Sequence, residues 1–147
     1  FFPGLSLRSL QGDSACARIF KHIGVKSTEQ DGGVRICKIG IAEPQPLLDM
    51  TQVPDLYPAI AVACHQLNIH PEWILPDSLQ WKESNRIQSV RKGLETADAA
   101  KDKSPIINTF DDHRIAMAFA VAGYPVSETK SISKSFPNFL NQLGVIL

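Results

Sequence analysis

The 147-residue chain has no excess charge of either sign and no long apolar run. Lysine plus arginine and aspartate plus glutamate both number 15, so the formal net charge is zero. Nucleic-acid-binding and membrane-surface proteins normally carry a basic excess, so this balance argues against both classes. We find no apolar stretch long enough to cross a bilayer and no secretory signal. We therefore expect a cytoplasmic protein in which any anion site is a local concentration of charge.

Cysteine is scarce, and the three cysteines, Cys16, Cys37 and Cys64, are widely spaced. There is no Cys-X-X-Cys pair, which argues against a zinc site. An odd number of cysteines does not make a simple disulfide framework. We expect buried or half-buried free thiols in a reducing compartment.

The remaining composition is ordinary for a soluble globular domain, with 44% hydrophobic and 20% charged residues. Apolar periodicity and turn residues predict a hairpin, formed by residues 25–28 and 34–39, and further strand character in residues 47–50 and 69–79. The same patterns predict helices over residues 9–24, 55–67, 82–94, 111–122 and 136–143. Residues 97–103 and 123–133 are weakly patterned, although a strand pair is expected in the first of them. The alternation of elements predicts an α/β or α+β fold.

Two short segments place cationic side chains at predicted helix starts: Lys82-Glu83-Ser84-Asn85-Arg86 and Asp111-Asp112-His113-Arg114. The N-terminal end of a helix is already positive, so a cation there is unfavourable unless an anion binds it together with the free backbone N–H groups. A third such segment begins at Lys134. The three segments predict a site for a multiply charged anion, such as a phosphate or a carboxylate.

Each of these features also has a simpler interpretation. A lone Lys-Glu-X-X-Arg pattern is typical of a solvated helix face, because charge patterns carry little information. Asp55, which follows Pro54 at the start of a predicted buried helix, is typical of an N-cap. Alternatively, Asp55 is a carboxylate that accepts a proton from a substrate hydroxyl.

The order of the segments distinguishes these interpretations. The segments are Pro54-Asp55, Lys82-Glu83-Ser84-Asn85-Arg86, Asp112-His113-Arg114-Ile115-Ala116-Met117-Ala118 and Lys134-Ser135-Phe136-Pro137. In this order they resemble the enolpyruvyl transferases, and most closely the EPSP synthases, or 3-phosphoshikimate 1-carboxyvinyltransferases. The segment Gln11-Gly12-Asp13 also matches. The resemblance covers essentially the whole chain but only part of the longer family protein.

The resemblance implies a fold. Family domains are built from repeats of a β-α-β-α-β-β unit, with buried helices and sheets outside, so that the domain is inside-out. Residues 1–147 are expected to form a single domain that resembles most of the family's C-terminal domain. The resemblance implies that the family's N-terminal domain, which supplies much of the shikimate-3-phosphate pocket across a cleft, lies outside these 147 residues. We therefore expect the isolated chain to be inactive.

The resemblance also implies the reaction and the role of each residue. The enolpyruvyl group of phosphoenolpyruvate moves to the 5-hydroxyl of shikimate-3-phosphate with release of phosphate, in the biosynthesis of aromatic amino acids. Asp55 resembles the carboxylate that binds and deprotonates the hydroxyl, and Lys82 the lysine beside the hydroxyl and phosphoenolpyruvate. Glu83 resembles the acid/base at the enolpyruvyl methylene carbon. The implied phosphoenolpyruvate-binding residues are Arg86, His113, Arg114 and Lys134. No metal or cofactor is implied.

The chain departs from the family pattern at Asn85, where the family usually has Asp, so the pairing of Arg86 is expected to differ. Two other functions stay open. One is the sister reaction, in which the enolpyruvyl group moves to UDP-N-acetylglucosamine, although the Asp-His-Arg and Lys-Ser-Phe-Pro segments favour the shikimate enzyme. The other is a non-catalytic anion-binding or interaction domain.

Overall fold

A computed structural model of the chain describes residues 1–40, 43, 45–100 and 104–146. Within these residues, the helices are α1 (Cys16–His22), α2 (Tyr57–Gln66), α3 (Arg86–Ala99), α4 (His113–Val121) and α5 (Phe139–Ile146). The strands of the same residues are β1 (Phe2–Pro3), β2 (Val25–Gln30), β3 (Gly33–Lys38), β4 (Leu47–Asp49) and β5 (Glu72–Ile74). Short 3-10 turns occupy Gly12–Ala15, Pro54–Leu56, Asp77–Trp81 and Lys130–Lys134. The predicted mixture of helix and sheet is confirmed.

Two small sheets carry the strands. Strands β2 and β3 form the predicted antiparallel hairpin, and β1 pairs with the other edge of β3. The hairpin turns at Asp31 (φ 51°) and Gly32 (φ 71°). A two-residue hairpin turn of this type needs two positive φ angles, which an Asp-Gly pair adopts readily. Strands β4 and β5 are parallel and are connected through α2, the usual way to join parallel neighbours.

The core lies among the helices, as the apolar character of residues 55–67 and 115–122 predicts. Helix α2 packs against α3 and α4. Ile60 and Val62 of α2 are buried, and so are Ile115 and Phe119 of α4. The predicted burial of both helices is confirmed. This packing brings the segments that precede α2, α3 and α4 together.

Helix α3 differs from the prediction at both ends. It begins at Arg86 and not at Lys82, because the side chain of Asn85 accepts a hydrogen bond from the backbone N–H of Gln88 at 3.1 Å and caps the helix there. The helix continues beyond its predicted end at residue 94 to Ala99, and so includes the first part of the weakly patterned segment 97–103. Thr96, which donates to the carbonyl of Lys92, lies within this extension. Residues 101–103 of that segment lie outside the described residues.

The C-terminal region also differs from the prediction. The predicted helix over 136–143 begins at Phe139 and continues to Ile146, so that Gly144 lies inside α5. Lys134 is the last residue of a 3-10 turn and does not begin a helix. The prediction of a third cationic helix start is therefore wrong, because a cation at a C-terminal end is favoured by the dipole without any bound anion.

The cysteines follow the prediction at two positions of three. Cys16 is half-buried and Cys64 is buried, whereas Cys37, on strand β3, is exposed. All three are free thiols, and burial raises the pKa of Cys64 to about 11. Among the described residues, no helix is both long and apolar enough to cross a membrane.

Candidate active site

The candidate site is formed by three chain segments, each at the start of a helix. Asp55 lies in the 3-10 turn that leads into α2, and Lys82 and Glu83 lie in the loop that leads into α3. Asp112 caps α4, because its side chain accepts a hydrogen bond from the backbone N–H of Arg114 at 2.9 Å. The packing of α2 against α3 and α4 brings these starts within ion-pair distance of each other.

Asp55 is the centre of the site, because three cations contact its carboxylate. The Lys82 ammonium lies 3.1 Å from Oδ1, and an Arg86 guanidinium nitrogen lies 2.6 Å from the same oxygen. Arg114 lies 3.2 Å from Oδ2 and also donates to the Asp55 carbonyl at 3.4 Å. Two of the cations, Lys82 and Arg114, are each 30% exposed in their side chains. These two therefore have donors available for a ligand.

Arg86 is different, because it is buried with only 2% of its surface exposed. It donates from Nε to Asp112 at 2.9 Å and from Nη2 to the other oxygen of the same carboxylate at 3.3 Å. Its third nitrogen contacts Asp55. Asp112 is fully buried and also accepts from the hydroxyl of Ser84 at 3.1 Å. Arg86 and Asp112 thus form a two-point ion pair beneath Asp55.

Both aspartates are held in the ionised form. Burial alone would raise the pKa of Asp55, but the hydrogen bond from Lys82 and the charges of Arg114 and Arg86 outweigh it and lower the pKa below its ordinary value. Burial alone would likewise raise the pKa of Asp112. Hydrogen bonds and charge from Arg86, the Arg114 N–H and the Ser84 hydroxyl again lower the pKa.

Glu83 and His113 form a second pair beside Asp55. The Nδ1 atom of His113 lies 2.7 Å from Oε2 of Glu83, and the His113 backbone N–H donates to the same oxygen at 3.2 Å. The Glu83 side chain is 39% exposed and that of His113 is 12% exposed. One edge of the Glu83 carboxylate is therefore fixed at the start of α4, while the rest of it is open to a ligand.

The structure brings six of the seven predicted site residues together, namely Asp55, Lys82, Glu83, Arg86, His113 and Arg114. Lys134 is exposed, and within the described part of the chain no carboxylate lies within ion-pair distance of it. The site holds three permanent cations, Lys82, Arg86 and Arg114, and three carboxylates, those of Asp55, Glu83 and the underlying Asp112. The charge of the cluster is therefore balanced within the chain itself.

Three potential metal ligands, from Glu83, Asp112 and His113, lie within 4.8 Å of one another. Asp112 is unsuited to a metal, because both of its oxygens already accept hydrogen bonds from Arg86. A divalent cation there would lie beside a buried guanidinium, which is a repulsive arrangement. The donor set therefore fits an arginine anchor better than a metal.

The sequence did not identify two residues that organise the site, Asp112 and Ser84. The Asp before His113 is visible as an N-cap candidate. The pairing of this Asp with Arg86, 26 positions earlier, cannot be recognised without the fold. Asn85 caps α3, and Arg86, the first residue of that helix, contacts both Asp55 and Asp112.

Comparisons of the sequence with known proteins identify the family. A sequence profile described as EPSP synthase (3-phosphoshikimate 1-carboxyvinyltransferase) matches residues 2–143. A 3-phosphoshikimate 1-carboxyvinyltransferase of Bacteroides fragilis (strain YCH46) is 32% identical over 162 positions, covering 95% of this chain and 40% of the relative. The enzyme of that name from Syntrophobacter fumaroxidans is 34% identical over 155 positions, covering 92% and 36%.

The chain thus spans about 40% of the length of the curated relatives that it matches. The profile match extends over nearly the whole chain and includes all the residues that surround Asp55. The chain belongs to the EPSP synthase family.

Proposed function

We propose that this chain supplies one side of the active site of a 3-phosphoshikimate 1-carboxyvinyltransferase. The reaction moves the enolpyruvyl group of phosphoenolpyruvate to the 5-hydroxyl of shikimate-3-phosphate and releases phosphate. The observation that carries the proposal is the convergence of Lys82, Arg86 and Arg114 on Asp55, beside the open carboxylate of Glu83. The names of the relatives, all 3-phosphoshikimate 1-carboxyvinyltransferases, support it.

Asp55 is proposed to bind the shikimate hydroxyl and to accept its proton. The lowered pKa of Asp55 keeps it ionised at neutral pH, which suits hydrogen bonding to a hydroxyl. It also makes Asp55 a weak base. A weak base is sufficient if the proton leaves only as the new C–O bond forms, because the hydroxyl becomes strongly acidic at that stage. Lys82 contacts the same carboxylate and is placed to orient the hydroxyl.

Glu83 is proposed to deliver the proton to the methylene carbon of phosphoenolpyruvate and to remove one when phosphate leaves. Protonation of this carbon makes a cationic centre that the hydroxyl attacks, and a tetrahedral intermediate then loses phosphate. His113 fixes the Glu83 carboxylate through its ring and its backbone N–H. A fixed carboxylate that stays partly exposed fits a group that must reach a substrate carbon.

The anionic groups of phosphoenolpyruvate are proposed to bind His113, Arg114, Arg86 and Lys134. Arg114 has exposed donors and the fork geometry that carboxylate and phosphate groups require. Arg86 contacts Asp55 in the free chain, so it would have to release Asp55 before it could bind phosphoenolpyruvate directly. Lys134 lies outside the ion-pair cluster and would contribute when the ligand is bound.

The rest of the site is proposed to come from an N-terminal domain across a cleft, in a cytoplasmic enzyme, with no metal or cofactor. Because the cations of the cluster are balanced by carboxylates of the chain, the chain alone is expected to hold an anion weakly. The order β4, α2, β5, α3, with β4 parallel to β5, fits the first four elements of a β-α-β-α-β-β repeat with its helices inside. The single domain of residues 1–147 is proposed to consist of such repeats.

A phosphate-release assay of the full-length protein tests this proposal. We expect turnover of phosphoenolpyruvate with shikimate-3-phosphate as acceptor and none with UDP-N-acetylglucosamine. Glu83→Gln should abolish the turnover, while Glu95→Gln, at an exposed position of α3, should not. Turnover with the nucleotide sugar would favour the sister enzyme, and no turnover with either acceptor would favour a non-catalytic anion-binding domain.

A further inference from the structure

A second polar cluster lies between the segment that precedes α4 and the 3-10 turn Lys130–Lys134. Oε1 of Glu128 accepts hydrogen bonds from the hydroxyl of Thr109 at 3.1 Å and from that of Ser131 at 2.7 Å. Its other oxygen accepts from the Ser131 backbone N–H at 3.2 Å. Thr109 is fully buried and Ser131 is 3% exposed. We call these three residues the Glu128 cluster.

The Glu128 cluster is connected to the candidate site through the backbone of Thr109. The carbonyl of Thr109 accepts a hydrogen bond from the N–H of Asp112 at 3.0 Å, and Asp112 holds Arg86. Between them, Phe110 and Asp111 have φ angles of 53° and 56°. Two consecutive residues other than glycine adopt this left-handed conformation only where the surrounding structure imposes it. Thr109, at the N-terminal end of this strained segment, is held by Glu128 and by the hydroxyl of Ser127, which accepts from the Thr109 N–H at 3.1 Å.

The other side of the Glu128 cluster leads to Lys134. Residues three apart in a 3-10 helix are eclipsed, so Lys134 lies on the same side of its turn as Ser131, one turn further on. Because the buried hydroxyl of Ser131 is bound to Glu128, it fixes the orientation of the turn, and with it the side from which Lys134 projects. Helix α4 also packs against this turn.

We propose that Glu128 is a positioning residue that fixes Lys134 and the start of α4 relative to each other. This inference rests on the proposed function, in which both parts contact phosphoenolpyruvate. An ordinary cap of the 3-10 turn needs only the bond to the Ser131 N–H. The bond to Thr109 is additional, because it spans 19 positions of sequence and, together with the bond from the Thr109 N–H to Ser127, joins two separate segments. Hydrogen bonds from Ser131 and Thr109 lower the pKa of Glu128, so the carboxylate stays ionised at neutral pH.

Steady-state kinetics of the full-length enzyme test the inference. We expect Glu128→Ala and Thr109→Val to raise the KM for phosphoenolpyruvate about tenfold, with kcat changed less than about threefold. Thr109→Ser keeps the hydroxyl, and Glu95→Ala removes an exposed carboxylate, so both controls should retain the wild-type KM. The double variant should be no worse than either single variant, because both remove the same link. A lower kcat with unchanged KM would mean only a smaller folded fraction and would overturn the inference.

A second measurement separates this inference from the proposed function. If the wild-type full-length protein shows no turnover, the proposed function fails, and amide NMR spectra of the 147-residue chain decide the positioning role. In Glu128→Gln, which keeps the size of the side chain, we expect the signals of Asp112 and Lys134 to move together. The signal of Ile60, in the core of α2, should stay. Changes confined to residues 128–131 would overturn the inference.

Discussion

Arg86 and Asp112 form a two-point ion pair in which the side chains are 3% and 0% exposed, with nitrogen–oxygen distances of 2.9 and 3.3 Å. The pair joins the start of α3 to the start of α4. It also holds the Arg86 guanidinium against Asp55, on which Lys82 and Arg114 converge. The geometry of the site therefore depends on a pair that itself has no exposed surface for a ligand.

Breaking this pair should strongly destabilise the fold. In Asp112→Ala, the charge of Arg86 stays buried with one partner fewer, so we expect a loss of about 3–5 kcal/mol in the free energy of unfolding. Urea denaturation measures this loss. The matched control is Glu95→Ala, which breaks the exposed Arg91–Glu95 pair and should cost about 0.5 kcal/mol or less. Equal costs for the two variants would mean that Arg86 and Asp112 are not held as described.

The same pair predicts a pH dependence of stability. The pKa of Asp112 in the folded chain is below its ordinary value of 3.8. The ionised carboxylate therefore stabilises the fold above pH 3.8, and this contribution is lost as the pH falls through the lower folded-state pKa. Between about pH 6 and pH 2.5, the free energy of unfolding of the wild type should fall more than that of Asp112→Asn. Parallel curves would contradict this assignment.

Gly93 should be intolerant of substitution, although alanine is the better helix former. A Cβ at Gly93 would lie 2.7 Å from Cε2 of Phe119, which is fully buried and cannot easily move. We expect Gly93→Ala to destabilise the chain by about 1–3 kcal/mol in thermal or urea unfolding. Gly144, inside α5, has open space around it, so Gly144→Ala should stabilise by roughly 0.5–1 kcal/mol. A stabilised Gly93→Ala would show that α3 and α4 are further apart.

Arg114 should be needed for binding phosphoenolpyruvate. In the full-length enzyme, Arg114→Ala removes a charged fork of donors, and we expect the KM for phosphoenolpyruvate to rise about 10- to 100-fold. Arg114→Lys keeps the charge without the fork and should recover only part of the loss. Arg91→Ala, on the exposed face of α3, is the control and should leave the KM unchanged. An unchanged KM and turnover in Arg114→Ala would count against the assignment.

Local patterns predicted the elements of the fold better than they predicted the ends of those elements. The buried helix after Pro54 and the hairpin at Asp31 and Gly32 were predictable, because apolar periodicity and turn chemistry are local. The start of α3 was not, although Asn85 followed three residues later by Gln88 is itself a capping signal. The cationic pattern that begins at Lys82 predicted a start four residues earlier.

The candidate site was predictable only in part, for a related reason. Motif order identified Asp55, Lys82 and Arg114, and the structure places them in contact. The pairing of Arg86 with Asp112 and the link from Glu128 to Thr109 join residues that are 26 and 19 positions apart. Such contacts are set by how the helices pack, and a single sequence does not record them.

The most direct test of the central claim compares the 147-residue chain with the full-length protein. The measurement is phosphate release from phosphoenolpyruvate in the presence of shikimate-3-phosphate. The account predicts steady turnover by the full-length protein and none by the chain alone, because the chain is proposed to supply only one side of a site that must exclude water. Steady turnover by the chain alone, lost in a Glu83→Ala control, would contradict the account, since the other side of the cleft would then be dispensable.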